Sequence, residues 1–95
     1  MDSETAEVFQ QAEEHRINGR YEQAQQLYQQ ILDANPQFAR AWWGLAHTLM
    51  NIGEFDKATE CFAKACDLEP ENQKFLYDYA MMLAMLSQFD EAKGL

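Results

Sequence analysis

Hydrophobic positions along the chain recur with the period of an α-helix. Trp42, Leu45, Ala46 and Leu49 follow the i, i+3, i+4, i+7 spacing, and Phe55, Ala58, Phe62 and Ala65 follow it with small departures. Gly19 and Gly53 can take the left-handed conformation that ends a helix, and an aromatic residue two positions later, Tyr21 or Phe55, begins the next. Pro36 and Pro70 cannot continue a helix, so each closes a hairpin and opens the following segment. These signals predict helices over 4–17, 21–34, 38–51, 55–68 and 72–86, with a further helix beginning at 89.

The segments also resemble one another at an offset of 34 residues. Asn18-Gly19-Arg20-Tyr21-Glu22-Gln23-Ala24 aligns with Ile52-Gly53-Glu54-Phe55-Asp56-Lys57-Ala58 and with Leu86-Ser87-Gln88-Phe89-Asp90-Glu91-Ala92. Ala12, Ala46 and Ala80 share one column, Tyr28 and Phe62 another, Pro36 and Pro70 a third. A period of this size marks a solenoid, in which each unit buries its face against the next. Alanine is expected where helices cross closely, as at Ala46 and Ala58, with Tyr28 and Phe62 filling the space between hairpins.

Charge and composition narrow the partners. Sixteen acidic residues against seven basic ones leave a net charge of −9, a field that repels nucleic acid and anionic lipid. The chain of 95 residues is short for enclosing a deep catalytic cavity. No apolar run approaches the roughly 18 residues of a membrane span, and the acidic start, Met1 to Thr5, does not read as a signal peptide. A cytoplasmic protein is expected. Cys61 and Cys66, five apart on one predicted helix, lie beyond disulfide reach of each other and fit a reducing compartment.

Catalytic chemistry finds no foothold. There is no glycine-rich phosphate loop, nucleophile elbow or metal-ligand pair, and His15 and His47 fall in different columns of the repeat. Neighbouring carboxylates such as Glu13 and Glu14 point apart on a helix and read as a solvated face. The expectation is therefore no enzyme, no cofactor and no metal.

The segment from Ala39 to Asn72 reads A-x-A-W-x-x-L-A, then G-x-F-D-x-A, F-x-x-A and L-x-P-x-N. This resembles a nearly complete tetratricopeptide repeat. The unit from about Thr5 to Phe38 is similar but more polar, with Gln11 and His15 where Leu45 and Leu49 stand in the next. The resemblance implies a single all-α domain over 1–95. It would be a right-handed superhelical array of antiparallel helix hairpins with repeats at about 5–38 and 39–72 and a partial repeat at 73–95.

In such arrays the first helix of each hairpin lines the concave side, where family members bind peptides or helices of other proteins. That implies concave columns at Phe9, Trp43 and Tyr77, at Gln10, Gly44 and Asp78, and at Glu13, His47 and Met81, with Arg40, Lys74, Met50 and Met85 at the rims. The aromatic column reads as an apolar anchor, with Gly44 leaving a dent beside Trp43; alternatively, the rings pack between adjacent first helices. The family's lysine, asparagine and arginine clamp for chaperone C-termini is matched only at Lys74, since Phe9, Glu13, Gly44 and Asp78 occupy its other places.

The resulting expectation is a non-catalytic protein-binding scaffold, part of a longer repeat array. Its partner would be a protein segment with an apolar anchor and a basic flank selected by an acidic rim. The alternative is a module that assembles with itself through the unfinished hairpin around Leu83, Phe89 and Ala92.

Overall fold

The computed structural model describes the backbone of residues 3–92 and the side chains of residues 3–88. Five helices follow one another: α1 (Ser3–Ile17), α2 (Tyr21–Ala34), α3 (Ala39–Ile52), α4 (Phe55–Leu68) and α5 (Gln73–Ala92). No strand occurs among the described residues. Sequential helices pack on each other, α1 on α2, α2 on α3, α3 on α4 and α4 on α5, giving an elongated body of 49 × 29 × 19 Å.

The turns have the predicted chemistry. Gly19 and Gly53 sit at φ 79° and 96°, a conformation that costs a side chain with a Cβ dearly, and the next amide returns to the helix: Arg20 N–H to the His15 carbonyl, Glu54 N–H to that of Leu49. Asn72 caps α5 by accepting the Phe75 amide at 3.1 Å, and the Trp42 indole donates to the Pro36 carbonyl at 2.7 Å.

The expectation of a break near 87 and a sixth helix from 89 is overturned. α5 runs without interruption to Ala92. Ser87 stands where Gly19 and Gly53 stand in the preceding units, and a serine does not adopt the left-handed turn at glycine's low cost. The expectation of an uncovered, self-associating end at Phe89 and Ala92 falls on side chains outside the described residues.

The core follows the alanine columns through the first two units, whereas Ala80 of the third is exposed. Ala12, Ala24, Ala41, Ala46, Ala58 and Ala65 are fully buried, which lets paired helices approach closely, while Tyr28, Phe62 and Met82 supply the bulk. Cys61 and Cys66 are buried free thiols of α4; burial pushes the Cys61 thiol up to about 11 and Cys66 upward as well.

Candidate protein-binding face

The first helices of the three units, α1, α3 and α5, lie side by side, and their shared face carries the residues singled out in the sequence. α3 and α5 run in the same direction, since Trp43 meets Asp78 and seven residues on Met50 lines the same recess as Met85.

The junction between α1 and α3 is filled. Tyr28 rises from α2, and its hydroxyl donates to Glu13 while accepting from Arg16 Nε at 3.1 Å; Arg16 Nη2 donates to Glu13 at 2.9 Å. Burial raises the Tyr28 phenol, and the hydrogen bond to Glu13 adds to that. For Arg16 burial acts the other way, and the bonds to Tyr28 and Glu13 outweigh it. Gly44 is not a dent open to a partner: it is buried, and a Cβ there would come within 2.6 Å of Tyr28 Cε1 and of its hydroxyl. The missing side chain is what admits the tyrosine ring.

The rings of the aromatic column differ in exposure. Phe9 stacks on Phe38 at 5.2 Å and Trp43 on Phe75 at 6.1 Å, both half-buried against the core. Two of the three therefore wedge between helices and do not stand clear of the core as expected. Tyr77 is 65% exposed, having no following first helix to pack on among the described residues.

Trp43 is the hub of this face. Its indole N–H donates to Asp78 Oδ2 at 2.6 Å, and His47 Nε2 lies 3.2 Å from the same oxygen, with the His47 ring edge-on to Trp43 at 4.6 Å. Arg16 and Lys74 approach the Trp43 ring at 5.1 and 4.8 Å, and Arg40 approaches Phe9 at 5.3 Å. Of the carboxylates on this face, Glu13 is paired with Arg16 and bonded by Tyr28, and Asp78 accepts from Trp43 beside His47. Neither Arg40 nor Lys74 has an ion-pair partner among the described residues. Sequence reasoning missed Arg16, whose i, i+3 placement after Glu13 was the available signal.

The junction between α3 and α5 is open. A recess of about 440 Å³ lies between the helices with Phe62 of α4 among its lining, walled by His47, Met50, Tyr77, Met81 and Met85. Met81 is 54% exposed. Met82 lines it from the buried core, and Asp78 is its acidic wall residue.

Comparison with known proteins gives this arrangement a lineage. Two family models, both described as tetratricopeptide repeat, match residues 15–65 and 45–92. The chain belongs to the tetratricopeptide repeat family. A protein provisionally named cytochrome c-type biogenesis protein CcmH from Haemophilus influenzae is 38% identical over 66% of this chain. The human Protein O-mannosyl-transferase TMTC3 is 32% identical over 77%, and anaphase-promoting complex subunit 3 of Schizosaccharomyces pombe 24% over 86%. The matches span only 14%, 8% and 12% of those proteins, so the transferase named in one of them has most of its length outside the match. Among solved structures, a mutant of MamA superimposes over 96% of this chain and 66% of its own at a TM-score of 0.79 and 23% identity. A second MamA structure covers 85% of this chain and 44% of its own at 0.73 and 26%. The tetratricopeptide repeat is a protein-interaction scaffold, and five helices in hairpin succession give this chain its α-solenoid form.

Proposed function

We propose that the α1–α3–α5 face is the concave binding surface of a non-catalytic scaffold, and that it holds an apolar side chain of a partner peptide or helix. One observation carries this reading: Tyr77 and Met81 stand exposed at the edge of the recess between α3 and α5, a largely apolar cavity lined by four methionines. Methionine walls adapt to varied apolar shapes, and exposed aromatic and methionine side chains are enriched at interfaces. Free thiols at Cys61 and Cys66 support a reducing compartment such as the cytoplasm for this activity.

Trp43 is a poor probe of this idea, because its packing on Phe75 and bond to Asp78 tie it to the fold. Tyr77→Ala with Met81→Glu is the better variant. Recovered partners should bind it at least about 30-fold more weakly, the equivalent of ~2 kcal/mol, with melting unchanged. Glu60→Ala on α4 should leave binding intact. Partners held as tightly by the double variant would exclude this face.

Self-association is a second reading, supported by the exposed Leu76 and Leu83 of α5 at 43% and 45%. Sedimentation across a concentration series, with Leu83→Glu alongside, tests it; a monomer at all concentrations would exclude it.

A further inference from the structure

Four of the chain's five methionines, Met50, Met81, Met82 and Met85, line the recess between α3 and α5. Bulk alone does not call for this concentration, because leucine fills a core with better-defined rotamers. What methionine adds is a soft, polarisable thioether sulfur. Met82 is packed into the core, whereas Met81 is exposed at the opening and Phe62 lines the side towards α4.

The same recess holds a nitrogen donor. His47 and Met81 share one column of adjacent units, so they stand level on parallel helices. Met50 lies three residues beyond His47, and Met85 four beyond Met81, the spacings at which two side chains share a helix face. Metal-ligand pairs on helices use these same spacings. His47 Nε2 lies 3.2 Å from Asp78 Oδ2, so the neutral ring donates from Nε2 and keeps Nδ1 as a lone-pair nitrogen. A carboxylate behind the imidazole fixes the tautomer and raises the basicity of the ligating nitrogen in metal-bound histidines. No lysine or arginine pairs with Asp78 among the described residues, so its negative charge can balance a cation.

We propose that His47, Met50, Met81 and Met85 form a binding site for a soft monovalent metal ion, copper(I) or its analogue silver(I). Three thioethers and one imidazole are soft, neutral donors that favour such an ion. A single carboxylate cannot supply the oxygen shell of calcium or magnesium, and zinc draws on thiolate, imidazole and carboxylate. Ligand motifs of histidine, cysteine and carboxylate do not contain this set, which is why the sequence implied no metal. The ion binds without a change of oxidation state. The site does not rest on the concave-face reading, although a bound ion and a partner's side chain would compete for the same space.

The test titrates silver(I) into the full 95-residue chain, isotope-labelled at its methionine methyl groups and followed by NMR. The methyl signals of Met50, Met81 and Met85 should shift and saturate at one equivalent, with Met1 unmoved as the internal control. Met81→Leu with Met85→Leu nearly conserves volume. It should weaken silver binding at least about 10-fold, no less than loss of an outer-shell partner costs, with the fold checked by circular dichroism. Leucine keeps the recess apolar, so this variant removes the metal without disturbing the concave-face reading. Should it not fold, the single substitution Met81→Leu at the exposed wall must still weaken silver at least about threefold. Equal shifts at Met1 overturn the proposal. So do uptake at Cys61 and Cys66 with silent recess methyls, and an unchanged affinity in the leucine variants.

Discussion

The two junctions on the α1–α3–α5 face occupy equivalent places in the repeat and have opposite outcomes. Between α1 and α3, the second helix contributes Tyr28, the neighbouring first helix contributes Gly44, and the ring fills the junction while its hydroxyl joins Glu13 and Arg16. Between α3 and α5, the corresponding residues are Phe62 and Asp78. Phenylalanine has no hydroxyl to reach His47, which stands where Glu13 stood. Asp78 is engaged sideways by Trp43 and His47, and the space beyond stays empty as the recess. The filled and the open junction differ at four places, Tyr28 against Phe62, Gly44 against Asp78, Glu13 against His47 and Arg16 against Met50. A solenoid can therefore open a recess at a single junction without altering its backbone plan.

The largest effect expected is at the filled junction. Gly44→Ala forces a methyl into the Tyr28 ring and should cost about 3 kcal/mol in urea unfolding. Asp78→Ala at the equivalent place should cost about 1 kcal/mol, the value of its exchanged hydrogen bonds. Equal costs would break the comparison.

Alkaline pH probes both junctions at once. Cys61, beside Phe62, has a folded value raised to about 11 from an ordinary 9.0, and Tyr28 is raised above its ordinary 10.0. For acids with raised folded values, the unfolded chain loses protons first as pH climbs, so the folded state loses stability in that interval. Stability should hold level to about pH 9 and fall by ~2 kcal/mol towards pH 11. A curve flat through pH 11 would mean that neither group is as buried as its surroundings imply.

Tyr28→Phe removes the hydroxyl that joins Glu13 and Arg16, and about 1–2 kcal/mol should go with it. The smallest effect sharpens the contrast. Phe62→Tyr adds the hydroxyl to the open junction, where the His47 ring lies 5.2 Å away. It should shift stability by under about 1 kcal/mol while narrowing the recess and weakening apolar ligands. A large loss of stability would show that the open junction has no room to spare.

Helix period, glycine and proline punctuation and the offset of 34 residues made the four leading helices legible within one residue at each end, because local backbone preferences govern those boundaries. The same local logic misplaced the end of α5: alignment to the earlier units implied a turn, but the residue at its pivot, Ser87, lacks the glycine that forms it. Periodicity also selected the face carrying Trp43, Tyr77 and Met81, since side chains at i, i+3 and i+4 share a side wherever the helix docks. It could not rank them by exposure. Whether a ring is wedge or anchor depends on what the adjacent helix puts opposite it, and Phe38 and Phe75 lie 29 and 32 residues from Phe9 and Trp43. The charge of the face was hidden for the same reason. Net charge is a sum over the chain, whereas Tyr28 meets Glu13, Trp43 meets Asp78, and Arg40 and Lys74 lie over the Phe9 and Trp43 rings, only where helices distant in sequence pack.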